Sequence, residues 1–286
     1  MRVLAPASSA NLGAGFDCAA VALELWNELE VEEGPHGVSI EGEGAGELPQ
    51  SDDHLALRAF ARLADPAGYR FRFVNRIPLE RGLGSSAAAI AAGLVAGAAC
   101  AGREVSADEL LQEAVRLDGH ADNVAAALLG GVTVAWHAAA NGSVAGFHAR
   151  RLADGLPLVP VVALPSERTN TTSSRGRLPA EVAHREAAAS AGAATLLGAA
   201  LASGDAELLR ASFDDRLHEP FRAADAPLLQ ALRNDYPVTL SGSGPSVVVW
   251  TEEAARDATA ADLTRRLPPD TTVLPLAVAR RGAHVA

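Results

Sequence analysis

The sequence predicts a two-domain α+β protein, and three observations carry that prediction. A chain of 286 residues has length enough for two ordinary domains, each with a buried core. Its first half opens on strand-like segments and then runs into helices. Beyond the loop Asp154–Pro157, helical and strand patterns alternate, so the division falls there, giving domains 1–154 and 155–286.

Arg2–Ala5, Val21–Val31, Val38–Glu43 and Tyr69–Asn75 are β-branched or alternating and read as strands, with helical spacing at Leu55–Ala64 between them. An alanine-rich helix follows over Ser85–Cys100. Ser106, with Glu109 three residues on, opens a capped helix to Leu117, and a short helix Asp122–Leu129 ends at Gly130-Gly131. Strands recur at Val132–Trp136, Ser143–Arg150 and Val159–Leu164. Glu167–Arg177 is poor in apolar residues and reads as a surface loop able to close on a ligand. The second half continues with helices at Pro179–Ala202, Ala206–Arg216 and Ala226–Asn234. Strands at Val238–Leu240 and Val247–Trp250, a helix at Glu252–Arg266 and a strand at Thr272–Leu276 complete it.

The net charge of -11 argues against broad electrostatic binding to nucleic acid or anionic membranes. Cys18 and Cys100 stand far apart, without the spacing of a zinc site or a disulfide framework, which suits a reducing cytoplasm. The N-terminus lacks the pattern of a secretory leader, and the alanine-rich stretches read as helix-packing surfaces.

Pro78-Leu79-Glu80-Arg81-Gly82-Leu83-Gly84-Ser85-Ser86 carries the strongest chemical signal. Glycines let backbone N–H groups approach a phosphate, and the helix starting near Ser85 would aim unpaired amides and its positive dipole end at the anion. The plain alternative is a glycine-rich turn before a buried helix. All 24 basic residues are arginine, so a P-loop lysine is excluded, as is Schiff-base chemistry. Positive charge on a phosphate must come from arginine, backbone amides or a metal.

Three more segments are candidates. Asn11 and Asp17, in a stretch bent by Gly13 and Gly15, suit a polar, amino-bearing ligand, although a simple turn fits the same residues. Asp118-Gly119-His120-Ala121-Asp122-Asn123 crowds two carboxylates, an imidazole and an amide at a helix junction. Asp122 could cap the following helix, and a carboxylate here with Ser86 would form an oxygen-rich magnesium site. In Asp214–Arg222, charges and aromatics alternate before Pro220, which is read as stopping a helix. That pattern is a solvated helix end or, through its arginines beside His218, a carboxylate clamp. Arg175 is a further clamp candidate, and Ser241–Ser246 is either a ligand-facing glycine turn or a tight turn between strands.

Together these segments resemble the GHMP kinases, and within them the homoserine kinases. Pro78–Ala88 is similar to that family's phosphate loop and Ser241–Ser246 to its third motif, while Ser8–Asp17, Gly119–Asn123 and Asp214–Arg222 are similar to the homoserine-specific segments. The resemblance implies an S5-like N-terminal domain and a ferredoxin-like C-terminal domain. It also implies ATP- and Mg2+-dependent phosphorylation of L-homoserine on the route to threonine, and a homodimer. ATP would be bound by Pro78, Arg81, Gly82, Leu83, Gly84, Ser85, Ser86 and Thr171, with the metal on Ser86 and Asp118. Asn11, Asp17, His120, Asp122, Arg175, His218, Arg222 and Gly242 would bind the acceptor; Asp17, Asp122, Asn123 and Arg175 would carry the chemistry. Related kinases acting on threonine or mevalonate, and a catalytically silent nucleotide-binding relative, are the alternatives. The chain departs from the family pattern at Asp118, usually glutamate, at Ala121, usually proline, and near His54, at Asn170, Ser190 and Ala193.

Overall fold

Small residues dominate β1 (Arg2–Ala10), and every residue of it except Arg2 and Leu4 is buried. This strand pairs with β2 (Ala19–Glu33) in antiparallel register from Arg2↔Glu30 to Ala10↔Ala20, with a shift between Pro6 and Ala7. The strand therefore runs five residues past the Ala5 expected from the sequence, and it delivers Ser8, Ser9 and Ala10 to the centre of the molecule. The computed structural model describes residues 1–138, 145–169 and 174–286.

Seven strands form the first sheet, ordered β11-β1-β2-β4-β3, with β5 on β2 and β6 on β5. The remaining strands are β3 (Gly37–Gly42), β4 (Tyr69–Asn75), β5 (Val132–Ala138), β6 (Gly146–Ala153) and β11 (His284–Val285). Among the described residues only β3 and β4 pair in parallel, by Gly37↔Arg70 to Gly42↔Asn75. Helices α1 (Leu55–Phe60), α2 (Ser85–Cys100), α3 (Ala107–Asp118) and α4 (Asp122–Leu129) pack with this sheet. Small residues set their close approach. A Cβ on Gly93 of α2 would lie 2.0 Å from the Ala56 carbonyl oxygen of α1.

The second sheet is antiparallel, ordered β10-β7-β9-β8, from β7 (Val159–Leu164), β8 (Val238–Leu240), β9 (Val247–Thr251) and β10 (Thr272–Pro275). Leu229 and Leu232 of α8 (Pro227–Leu232) and Leu263 of α9 (Arg256–Arg266) share its core with Val161, Val247 and Val249. Helix α5 (His184–Ser203) and the short α6 (Ala206–Ala211) and α7 (Glu219–Arg222) lie between β7 and α8 in the chain.

Several boundaries differ from the sequence reading. Helix α5 begins at His184 rather than Pro179, and α6 stops at Ala211 rather than Arg216, where the Ser212 hydroxyl donates back to the Leu209 carbonyl at 2.7 Å. Pro220 does not stop a helix. It sits in the first turn of α7, where the N–H it lacks has no intrahelical partner to lose. The carboxylate of buried Asp215 opens that helix by accepting from the amides of His218 and Glu219 at 2.8 and 2.7 Å. Residues 143 and 144 of the expected Ser143–Arg150 strand lie outside the described residues, and β6 runs on to Ala153. The sequence reading contains no β11, which pairs Val3↔Val285 and Leu4↔His284 in the first sheet.

Candidate active site

Gly84 stands at the N-cap of α2 in left-handed conformation, φ 67°, and supplies no side-chain cap. The first amides of a helix point out of its N-terminus without intrahelical partners, and here that end opens on a cavity lined by Ser85 and Ser86. The two loop glycines have a second reason to be glycine. A Cβ on Gly84 would lie 2.1 Å from Ser8 Oγ, and one on Gly82, φ 77°, would lie 2.2 Å from the Ser241 carbonyl oxygen. The phosphate-type loop is thus clasped between the end of β1 and the turn after β8. Ser8 N donates to the Leu83 carbonyl at 3.0 Å, and Ser241 Oγ lies 2.7 Å from the Gly82 carbonyl and 2.9 Å from Ser9 Oγ.

The cavity has a volume of about 350 Å³. On one side stand Glu80 and Gly82 through Ser86; Asp118, His120, Asp122 and Asn123 come from the junction of α3 and α4. Asn11 and Asp17 enter from the β1–β2 connection, Thr169 and Arg175 from the segment after β7, and Arg222, Gly242 and Ser243 from α7 and the turn after β8. Six sequence segments, spread along the chain, converge here. Sequence reasoning missed Ala10, Glu80, Thr169 and Ser243, which carry no motif signal beyond their neighbours.

At the α2 end, Ser86 Oγ donates to Asp118 Oδ1 at 2.9 Å, and Asp118 Oδ2 lies 3.6 Å from His120 Nδ1. The Asp118 carboxylate raises the His120 pKa against the lowering effect of burial. Among the described residues no group of three or more His, Cys, Asp or Glu side chains forms a metal cluster. A hydroxyl and one carboxylate nevertheless suit an ion that keeps its waters and takes its other ligands from phosphate oxygens.

At the opposite end, Arg175 places one nitrogen 2.7 and 2.8 Å from the two carboxylate oxygens of Asp17. Asn11 holds that corner through both ends of its amide: Oδ1 accepts from Asp17 N at 3.0 Å, and Nδ2 donates to the Gly242 carbonyl at 2.9 Å. Asn11 and Asp17 both have positive φ, 78° and 56°, a strained choice for non-glycine residues at a ligand-facing bend. Arg222 donates to the same Gly242 carbonyl at 3.3 Å. The Nε atoms of Arg175 and Arg222 are buried and have no partner among the described residues. The face of Phe16 receives both guanidinium groups, at 5.9 Å for Arg175 and 5.6 Å for Arg222. This ring is another feature the sequence reading did not single out.

Burial drives the electrostatics. Asp122 is buried, and desolvation, reinforced by the Asp17 and Asp118 charges, pushes its carboxyl up to about 6. It does not act as the N-cap considered from the sequence. Ala121 holds that position, and Asp122 Oδ1 accepts from Asn123 N at 2.7 Å.

His218 does not line the cavity. It is fully buried behind Phe16, stacked on that ring at 5.0 Å, with Nε2 3.1 Å from the Gly13 carbonyl and Nδ1 3.4 Å from an Arg222 nitrogen. Burial lowers its pKa to about 4, so it is neutral at ordinary pH. Pro78 is buried under the loop and Arg81 is half-buried, and neither lines the cavity. Thr171 lies outside the described residues.

Comparison with known proteins follows the same convergence. Residues 54–131, which hold the loop and helices α1 to α4, match the family pattern described as GHMP kinases N terminal domain. A homoserine kinase of Streptomyces avermitilis is 42% identical over 272 residues, covering 90% of this chain and 87% of the relative. The chain belongs to the homoserine kinase family. A homoserine kinase of Streptomyces coelicolor is 41% identical and covers 98% of this chain and 96% of its own. Among solved structures, the homoserine kinase of Cytophaga hutchinsonii superimposes with a TM-score of 0.85 at 26% identity, covering 100% of this chain and 97% of that one. The two sheets with their helices are accordingly the α+β GHMP kinase fold that the resemblance implied. Among the described residues no helix is long and apolar enough to cross a membrane.

Proposed function

We propose that this homoserine kinase family member transfers the γ-phosphoryl group of ATP to the side-chain hydroxyl of L-homoserine, a step of threonine biosynthesis. One observation carries the reading. An uncapped helix N-terminus and a pocket equipped for a zwitterion, with Asp17 for an ammonium and Arg175 and Arg222 for a carboxylate, share a single cavity of about 350 Å³. Guanidinium forks match a carboxylate in two-point fashion, and a sugar offers no such group. The named relatives span nearly the whole chain, which favours homoserine over another acceptor or a silent nucleotide binder.

In this mechanism the amides around Gly82–Ser86 hold the phosphates, and Ser86 with Asp118 holds magnesium. Magnesium held there would supply charge neutralisation to the phosphates. Arg175 and Arg222 fix the acceptor carboxylate, and Asp17, released from Arg175, takes its ammonium. The acceptor oxygen forms the new bond to phosphorus as the bond to the departing ADP oxygen breaks. The hydroxyl proton passes to Asp122, whose raised pKa suits it to that exchange. Positioning and electrostatics supply most of the rate.

The test is ADP release and phosphorus NMR of the product with L-homoserine, L-threonine and mevalonate as acceptors. Turnover of homoserine well above the others is expected; preference for another acceptor, or none, overturns the assignment. A cytosolic homodimer also belongs to this reading and rests on the family resemblance. Light scattering of the purified protein checks the dimer.

A further inference from the structure

The last strand of the second sheet is β8, and an edge strand leaves backbone donors without a neighbouring strand to meet. The Leu240 N–H meets a side chain instead, donating to Glu219 Oε1 at 2.7 Å. Glu219 is the first residue of α7 and has 0% exposure. Its other oxygen, Oε2, accepts from Arg233 at the end of α8. This buried carboxylate does not line the cavity, and the mechanism above gives it no part.

Its place in the fold nevertheless bears on the acceptor site. Arg222 closes the helix that Glu219 opens, and Gly242 lies just beyond Leu240 in the turn after β8. Arg222 donates to the Gly242 carbonyl at 3.3 Å, and both residues line the cavity. The Glu219–Leu240 bond thus joins the same two elements one step behind the contact that sets Arg222. We infer that Glu219 is a positioning residue, which ties α7 to β8 so that the Arg222 guanidinium stands at the acceptor carboxylate. The inference rests on the homoserine-kinase reading of the cavity.

Each bond in this chain of contacts runs in one direction only. A backbone N–H and a guanidinium donate, and a carbonyl accepts, so neither contact has an alternative arrangement. Arg222 has little else to hold it. Its buried Nε has no partner among the described residues, and burial together with the like charge of Arg175 acts against its cation. The Phe16 ring attracts the guanidinium without fixing its direction. Asp215 caps the start of α7 through the His218 and Glu219 amides, and such an end-on cap leaves the tilt of the helix to sideways contacts. Glu219 supplies one. The turn after β8 keeps separate ties of its own, Ser241 N to the Ser246 carbonyl at 3.0 Å and Ser241 Oγ to the Gly82 carbonyl at 2.7 Å. Loss of the Glu219 carboxylate therefore falls on the acceptor side of the cavity rather than on the phosphate loop.

The experiment is a double-mutant cycle on the full chain, with kcat and both KM values measured on homoserine and ATP. Glu219→Ala is expected to raise KM for homoserine by about tenfold and to leave kcat and KM for ATP within about threefold, because Arg222 serves the acceptor alone. Glu219→Gln keeps an oxygen for the Leu240 N–H and Arg233→Ala keeps the whole carboxyl group, so each should hold KM for homoserine within about threefold of wild type. In the Arg222→Ala background, Glu219→Ala should change KM for homoserine by less than about twofold, because residues that act through one another do not add. Equal factors in both backgrounds, an unchanged KM for homoserine in Glu219→Ala, an equal rise in KM for ATP, or a Glu219→Gln no better than Glu219→Ala overturns the role of Glu219 while leaving the function intact. No homoserine turnover by the unmutated enzyme overturns both. Should Glu219→Ala lose its cooperative melt, Glu219→Met, which fills the space without supplying an acceptor for Leu240, takes its place in the cycle.

Discussion

Asp17 and Arg175 form an ion pair, 2.7 Å at its shorter contact, across the acceptor end of the cavity, between the β1–β2 connection and the segment after β7. Both side chains are about 40% exposed, 42% and 41%, so the pair is solvent-screened and inexpensive to break. An amino acid that enters there offers an ammonium to Asp17 and a carboxylate to Arg175, and it replaces one internal pair by two new ones. An acceptor with a single charge leaves one protein charge unmatched. Arg175→Ala should therefore raise KM for homoserine by about 30-fold or more, the cost of removing one partner of a substrate charge pair, and change KM for ATP by less than about threefold. Equal effects on both would count against the clamp.

Asp122 gives activity and stability opposite dependences on pH. Its folded pKa is about 6 against an ordinary value of 3.8, so below about 6 it is protonated and unable to accept the hydroxyl proton. An acid limb centred near pH 6 is expected in kcat, and Asp122→Asn should remove that limb and lower kcat by about 100-fold. A raised carboxyl contributes stability that is fully present below pH 3.8 and is lost as pH rises through 6. The loss amounts to something on the order of 3 kcal/mol. Neutral His54 and His218, each with a pKa near 4, oppose this trend over part of the same window. The comparison that isolates Asp122 is the difference in urea-unfolding free energy between Asp122→Asn and wild type from pH 4 to 8, which should grow in favour of the variant.

Much of this site was legible because its segments announce themselves locally. Helix α2 begins at Ser85 and ends at Cys100 as read, since Gly84 precedes it and small residues fill it, and α4 is bounded as read by the Gly130-Gly131 pair. What the sequence concealed depends on tertiary packing. His218 has the chemistry of a ligand-binding residue, but the Phe16 ring covers it. Pro220 has the same sequence signature whether it ends a helix or opens one, and only Asp215 folding back on the α7 amides decides between them. A two-residue strand such as β11 has no periodicity to detect. Gly82 and Gly84 were read as making room for phosphate, and the structure adds that Ser241 and Ser8 already press against them from the protein side.

Ser86 and Asp118 test the metal assignment separately from the acceptor site. Removing the divalent ion with EDTA should abolish turnover, and Mg2+ should restore it. Asp118→Ala deletes the carboxylate and frees the Ser86 hydroxyl that it now accepts. It should raise the Mg2+ concentration needed for half-maximal turnover by about tenfold and leave KM for homoserine nearly unchanged, since a bound divalent ion loses one of its few protein ligands. An unaltered Mg2+ requirement, read from rate against free Mg2+ at saturating ATP, would remove Asp118 from the metal site.

The clasp on the phosphate loop makes Gly82 a structural as well as a ligand-facing residue. An alanine there has its Cβ 2.2 Å from the Ser241 carbonyl and 3.0 Å from the Gly244 carbonyl, both backbone, at φ 77°. Neither a rotamer change nor a flexible tip can relieve the clash, so the loop or the turn after β8 must move. Gly82→Ala should cost about 2–3 kcal/mol, from strain at a left-handed position together with a displaced backbone. It should also weaken ATP binding, because the amides that would meet the phosphates shift with the loop. Gly198→Ala is the matched control: within α5 it meets nothing within 4 Å and should gain about 0.5–1 kcal/mol from helix propensity alone. Thermal melts with and without Mg·ATP separate the two effects: the nucleotide-induced rise in Tm should shrink in Gly82→Ala and persist in Gly198→Ala.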